Sequence, residues 1–95
     1  MELLVNRKSF IVTDHALQRM SERNVSLHEI RPVLEFGTRL KRADGSTRIE
    51  MDCEALDRTP EDFLIPYELF GLTIVIKEGN ILVTVIRNIE SGDIA

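Results

Sequence analysis

The sequence predicts an α+β domain: two N-terminal helices packed on a mostly antiparallel sheet of about five strands, in the order β-α-α-β-β-β-β. Three observations carry this reading. Ser26 and Glu29 in "VSLHEI" form a capping box, with Val25 and Ile30 as the accompanying hydrophobic staple. Asp44-Gly45 divides two alternating segments, the pattern of a tight two-residue hairpin. "LTIVIK" and "NILVTVIR" flank Glu78-Gly79 and are apolar at nearly every position, which predicts a second hairpin buried on both faces at the sheet centre.

The elements follow in chain order. "SFIV" (9–12) is β-branched and aromatic and reads as the first strand. Thr13 or Asp14 then caps a helix running to Glu22 or Arg23, with Ala16, Leu17 and Met20 on its apolar face and Asn24 at its left-handed end. A second helix carries Leu27, Ile30 and Leu34 at core spacing and runs to Phe36, with Gly37 as terminator. Pro32 lies inside it and predicts a bend. With a two-residue turn at Asp44-Gly45, Leu40 faces Ile49, Arg39 faces Glu50 and Lys41 faces Arg48. Residues 52–68 are acidic, carry Pro60 and Pro66, and read as an irregular excursion with a helical turn near Thr59. The tail "NIESGDIA" is expected to fray.

Ninety-five residues support one domain, 1–95, with a single modest core. The net charge of −4 excludes a globally basic nucleic-acid binder. The charge is uneven, however. Residues 1–49 hold nine Lys/Arg against six Asp/Glu, and residues 50–95 hold three against ten. A local basic patch is therefore compatible with the acidic whole. No apolar run reaches the ~20 residues of a membrane span, and the start has no stretch long enough for a secretion signal, so no membrane partner is expected. Cys53 is the only cysteine, which fits a reducing cytoplasm. Cys53, His15 and His28 lack metal-ligand spacing, and the chain has no Gly-rich phosphate loop, nucleophile elbow or paired-carboxylate motif. No metal or cofactor is expected.

The chemistry concentrates in "TDHALQRMSERNVS". At about 100° per residue, His15, Arg19 and Arg23 fall at roughly 0°, 40° and 80°, beside the apolar face rather than opposite it. Such a stripe lies along the seam between helix and sheet and could hold an anion. His15 also sits in the first turn, where the helix dipole favours the neutral imidazole that accepts a proton. The competing reading is a solvated edge whose arginines pair with Glu22 or with sheet carboxylates. On the first hairpin, Arg39, Lys41, Arg42 and Arg48 make a basic ribbon suited to phosphate, or else an edge protected by its charges. His28 reads as exposed, Tyr67 as packed on the core, and Cys53 as lacking a base that would activate it.

"HALQRMSERNVS" resembles the small bacterial family catalogued as domain of unknown function 4258. That family's pattern is His-Ala, an Arg four residues after the His, a second Arg four later, then Gly-Ile-Ser or similar; here these are His15, Ala16, Arg19, Arg23 and residues 24–26. "ADGSTRIEM" and "ILVTVIR", with Thr84, match its later hairpin and apolar strand. The resemblance implies a fold similar to RelE/ParE-like toxins and barnase-like ribonucleases, with the His and Arg positions on RNA phosphate. On that reading His15 acts as general acid or base, Arg19 and Arg23 stabilise phosphate charge, and Arg39, Lys41, Arg42 and Arg48 hold the RNA backbone. RNA and an antitoxin-like protein are the partners it implies. The alternative is a non-catalytic interaction module or homodimer, using residues 50–68 toward a basic partner.

Overall fold

The computed structural model describes residues 1–61, 65 and 69–87. Its elements are β1 (Glu2–Val5), β2 (Lys8–Val12), α1 (Asp14–Glu22), α2 (Leu27–Phe36), β3 (Thr38–Lys41), β4 (Thr47–Glu50), α3 (Cys53–Arg58), β5 (Leu72–Lys77) and β6 (Ile81–Arg87). The α+β class is as expected. The order is not: among the described residues there are six strands and a third helix. All strands join one mixed sheet in the order β1-β2-β6-β5-β4-β3. Every pairing is antiparallel except β2 with β6, which is parallel over Ile11–Ile81 and Val12–Leu82.

The additional strand arises at the N-terminus. Val5 pairs with Lys8 across Asn6-Arg7, and both turn residues have positive φ, the backbone of a two-residue type I′ hairpin. Alternation in Glu2–Val5 buries Leu3 and Val5 and leaves Leu4 outside.

The helices start where the sequence places them. Thr13 caps α1 by accepting from the Ala16 N–H. The capping box at Ser26 and Glu29 is complete, with Val25 and Ile30 both buried beside it. Asn24 ends the first helix at φ 55°. α2 runs through Pro32, which is buried and forgoes the bond its N–H would have made. It lies across the concave side of the sheet, touching β1 near one edge and β4 and β5 toward the other. Its last carbonyls are satisfied from outside the helix: Arg39 donates to Leu34 O at 3.1 Å and Arg58 Nε to Phe36 O at 3.2 Å.

Gly37 does stop α2, but not by left-handed backbone; its φ is −61°. A Cβ there would stand 2.5 Å from Val33 O and 2.6 Å from Ile49 Cγ2. The residue is small because helix and strand meet at that point.

The first hairpin corrects the expected register by one residue. Thr38 pairs with Glu50, Arg39 with Ile49, Leu40 with Arg48 and Lys41 with Thr47. The turn has three residues, not two. Arg42 O accepts from Gly45 N–H, Arg42 N–H donates to Ser46 O, and Gly45 has φ 90°. Asp44 holds the turn by accepting from both the N–H and the hydroxyl of Ser46, at 2.9 and 2.6 Å. A one-residue slip exchanges faces. Arg39 and Lys41 thus share the concave side with Ile49, while Leu40 and Arg48 lie outside.

The acidic stretch is not irregular at its start. Asp52 caps α3, accepting from Ala55 N–H at 2.9 Å and from the Thr38 hydroxyl at 2.7 Å. Arg58 donates to the same hydroxyl, so α3 is tied to the α2–β3 joint. Thr59 is the C-cap of this helix, and the helical turn expected to start near Thr59-Pro60 runs into residues 62–64, outside the described residues. Tyr67, Pro66 and the tail from residue 88 lie outside the described residues.

The core combines α1, α2 and Ala55 of α3 with the concave side of the sheet. Phe10, Ile30, Ile49, Met51, Ile74 and Leu82 are among its largest fully buried side chains. β5 and β6 are central, as their composition predicted, with a register shift at Val75/Ile76. Their outward face is only part-buried at Val75, Thr84 and Ile86. No helix of the described residues is long and apolar enough to cross a membrane.

Candidate functional site

α1 is placed by the departure of β2 from the sheet. β2 pairs with β6 only as far as Val12, and the chain then turns into the helix. The side of β6 that β2 leaves is covered by α1, which packs along it. Thr13 makes the junction: its N–H and its hydroxyl both donate to Leu82 O, at 3.2 and 3.1 Å. At the other end of the helix, Arg23 Nη1 donates to Val85 O at 3.0 Å. Arg87 on β6 donates to Asn24 O at 3.4 Å and forms an ion pair with Glu29 at 2.8 Å. Helix, elbow and strand are therefore joined at three points.

The members of the His15–Arg19–Arg23 stripe differ in role, and only Arg23 bonds to the sheet. His15 is exposed, and Arg19 Nε lies 3.4 Å from its Nε2. In that contact the guanidinium donates and Nε2 accepts. Arg19 Nη1 also pairs with Glu22 at 2.8 Å. Gln18 donates to the second oxygen of Glu22 at 3.2 Å. The Arg19 guanidinium, then the Gln18 amide, hold the Glu22 carboxyl below its usual range. Arg23 reaches the sheet. Thus His15 and Arg19 form one surface group with a carboxylate beside it, while Arg23, itself exposed, is tied to β6 by its bond to Val85 O.

Burial pushes the Glu29 carboxyl up. Its bonds from Arg87 and from Ser26 N–H outweigh that and leave it below the usual range.

The hairpin cations occupy two faces. Arg39 and Lys41 line an open cleft with Thr47, Lys77, Glu78 and Asn80 at the hairpin tips. Arg48 is on the outward face beside Leu40, and Arg42 is exposed in the turn. None of these four makes an ion pair among the described residues. β3 is three strands from β6 in the sheet order, so α1 and the ribbon sit on different parts of the sheet. Lys77 joins the ribbon through the pairing of the second hairpin beside the first, which local sequence does not display. Glu22 was visible three residues beyond Arg19, the spacing of neighbours on one helix face.

His28 and Cys53 are exposed near the starts of α2 and α3. No group of three or more His, Cys, Asp or Glu among the described residues could hold a metal ion.

This arrangement spans the segment that matches a family model described as Domain of unknown function (DUF4258), over residues 12–87. The chain belongs to that family. The match begins at the end of β2 and closes at Arg87, so it takes in α1, the elbow and both later hairpins of this DUF4258 chain. No curated relative and no solved structure matches it.

Proposed function

We propose that this DUF4258 domain binds RNA and acts as a ribonuclease-like module of the toxin type, with His15 as the proton-transfer group. The observation that carries the reading is the exposed His15 with Arg19 Nε beside its Nε2. An imidazole whose Nε2 is free of a proton can accept one from a ribose hydroxyl, and a guanidinium at its side can stabilise the phosphate charge that develops. The cations of the first hairpin, without ion-pair partners among the described residues, supply backbone contacts. Arg23 contributes by fixing α1 against β6. The likeness of the motif to RelE/ParE-like toxins belongs to the same proposal.

The test is cleavage of a labelled RNA, alone and with ribosomes, by wild type and His15→Ala. Turnover should fall by about 10²–10⁴-fold in the variant, the usual contribution of a general acid or base. Equal cleavage by both proteins removes the assignment. A second reading, a non-catalytic interaction module, is favoured by three apolar side chains on the outward face: Leu4, Ile11 and Leu40, 62%, 51% and 60% exposed.

A further inference from the structure

The two edges of the sheet are not equivalent. Around the β1–β2 turn, Val5–Lys8 is the closing bonded pair, and Met1 and Val12 exchange both bonds at the far end. Alternation then points the backbone groups of Glu2 and Leu4 away from the sheet. Leu4 O is covered, because Arg31 of α2 donates to it at 2.8 Å. At the other edge, the bond from Arg42 N–H to Ser46 O fixes the phase of β3. Leu40 and Thr38 bond toward β4, and the N–H and C=O groups of Arg39 and Lys41 point outward. Among the described residues nothing bonds to those four groups. Both their side chains are cationic and on the concave side, while Leu40 projects on the other.

We propose that β3 is a docking edge for an extended acidic segment of a partner protein, which adds as a seventh strand. The main-chain groups of Arg39 and Lys41 supply the pairing, and side-chain chemistry selects the partner. Residues of the added strand opposite Arg39 and Lys41 share their face and are carboxylates. The residue between them is opposite Leu40 and is apolar. A second copy joined β3 to β3 is the wrong occupant, since that sets Arg39 and Lys41 against the same cations. The inference does not depend on RNA cleavage. It does use two of the cations assigned to RNA, so a bound acidic strand would compete with RNA for them.

The experiment uses the full chain and a short capped peptide alternating glutamate with valine. Controls are the same peptide with lysine for glutamate, and with its backbone nitrogens methylated, which removes the N–H groups it would donate to β3. Binding is followed by fluorescence anisotropy and by amide hydrogen exchange of the protein. The acidic peptide should bind and protect the amides of Arg39 and Lys41, while both controls fail. Lys41→Gln and Lys41→Pro then separate charge from backbone. Both remove the ammonium, but only the proline removes an outward N–H, and it leaves the bonds to β4 intact. The peptide should bind Lys41→Pro about tenfold more weakly than Lys41→Gln, as expected for one lost strand bond. RNA binding should fall equally in the two variants. If Lys41→Pro does not fold, the exchange pattern of wild type decides. No binding, no protection at Arg39 and Lys41, equal binding of the lysine or N-methylated peptide, or self-association through β3 would each overturn the proposal.

Discussion

Arg23 on the last turn-out of α1 donates to the carbonyl of Val85, 3.0 Å away on β6. That carbonyl faces the side of β6 from which β2 has departed, so no strand is present to take it. A carbonyl left without a donor at a packed seam costs about 1 kcal/mol or more. Arg23→Ala should therefore lower the unfolding free energy by about 1 kcal/mol, read from the urea midpoint at unchanged slope. Arg23→Lys should recover part of it. A loss within error would show that water replaces the guanidinium.

Gly37 offers a contrast with Gly45. Gly37 has an ordinary φ, but an added Cβ would meet Val33 O and Ile49 Cγ2. Gly45 has open space around it and a φ of 90°. Gly37→Ala should destabilise by about 1–3 kcal/mol, the usual cost of overpacking. At Gly45, alanine is unfavourable and asparagine, which tolerates the left-handed region, should be milder. Urea melts of the three variants separate crowding from conformation.

These cases mark what the sequence can disclose. Caps at Thr13 and Ser26 follow from local chemistry, and both were legible. The Asn6-Arg7 turn was not, because Arg7 at φ 68° carries none of the glycine signal of such turns. α3 was hidden by nearby prolines, although Asp52 three residues before the buried Ala55 is a usable cap signal. The register of β3 with β4 failed because Gly45 serves as a bulge residue. The bond of Arg23 to Val85 was out of reach: it exists only because strands distant in sequence run parallel for two residues and then part.

The register makes its own prediction. Arg39–Ile49 and Lys41–Thr47 are the pairs that do not exchange hydrogen bonds, which brings their Cα atoms to about 4.5 Å. Strong Hα–Hα cross-peaks should join each pair in a NOESY spectrum. Hα–Hα cross-peaks between Leu40 and Ile49 would instead restore the two-residue turn.

Stability should depend on acid. Glu29, Asp44 and Asp52 each hold a bond in the fold that favours the carboxylate, and each has its pKa lowered. For Asp52 the bond from Thr38 is the main cause, ahead of Ala55 N–H and the nearby Arg58. A folded-state pKa below the unfolded one gives stability that is complete above the ordinary carboxylate range, and is lost as pH falls through the folded value. The unfolding free energy should be level near neutrality and decline below about pH 5. Glu29→Gln should be less stable than wild type at pH 7 and approach it at low pH. A constant difference across that range would contradict the role of the charge.

Glu22 gives the sharpest test of the stripe as a phosphate site. Its carboxylate accepts from Arg19 at 2.8 Å and is anionic at neutral pH, as any glutamate is. It therefore competes with any phosphate for the same guanidinium. An exposed pair of this kind is weak and solvent-screened, so its competition changes affinity by at most about a few-fold. Glu22→Gln should tighten binding of a single-stranded RNA by that factor at low salt, with the gain shrinking as salt screens the charges. Arg19→Ala should weaken binding and reduce its salt dependence. In the double variant the gain from Glu22→Gln should vanish, because the guanidinium it frees is gone. Filter binding of the four proteins over a salt series measures all three effects. If Glu22→Gln leaves affinity unchanged while Arg19→Ala lowers helix stability, Arg19 and Glu22 form only a surface pair, and phosphate must be sought at the hairpin cleft.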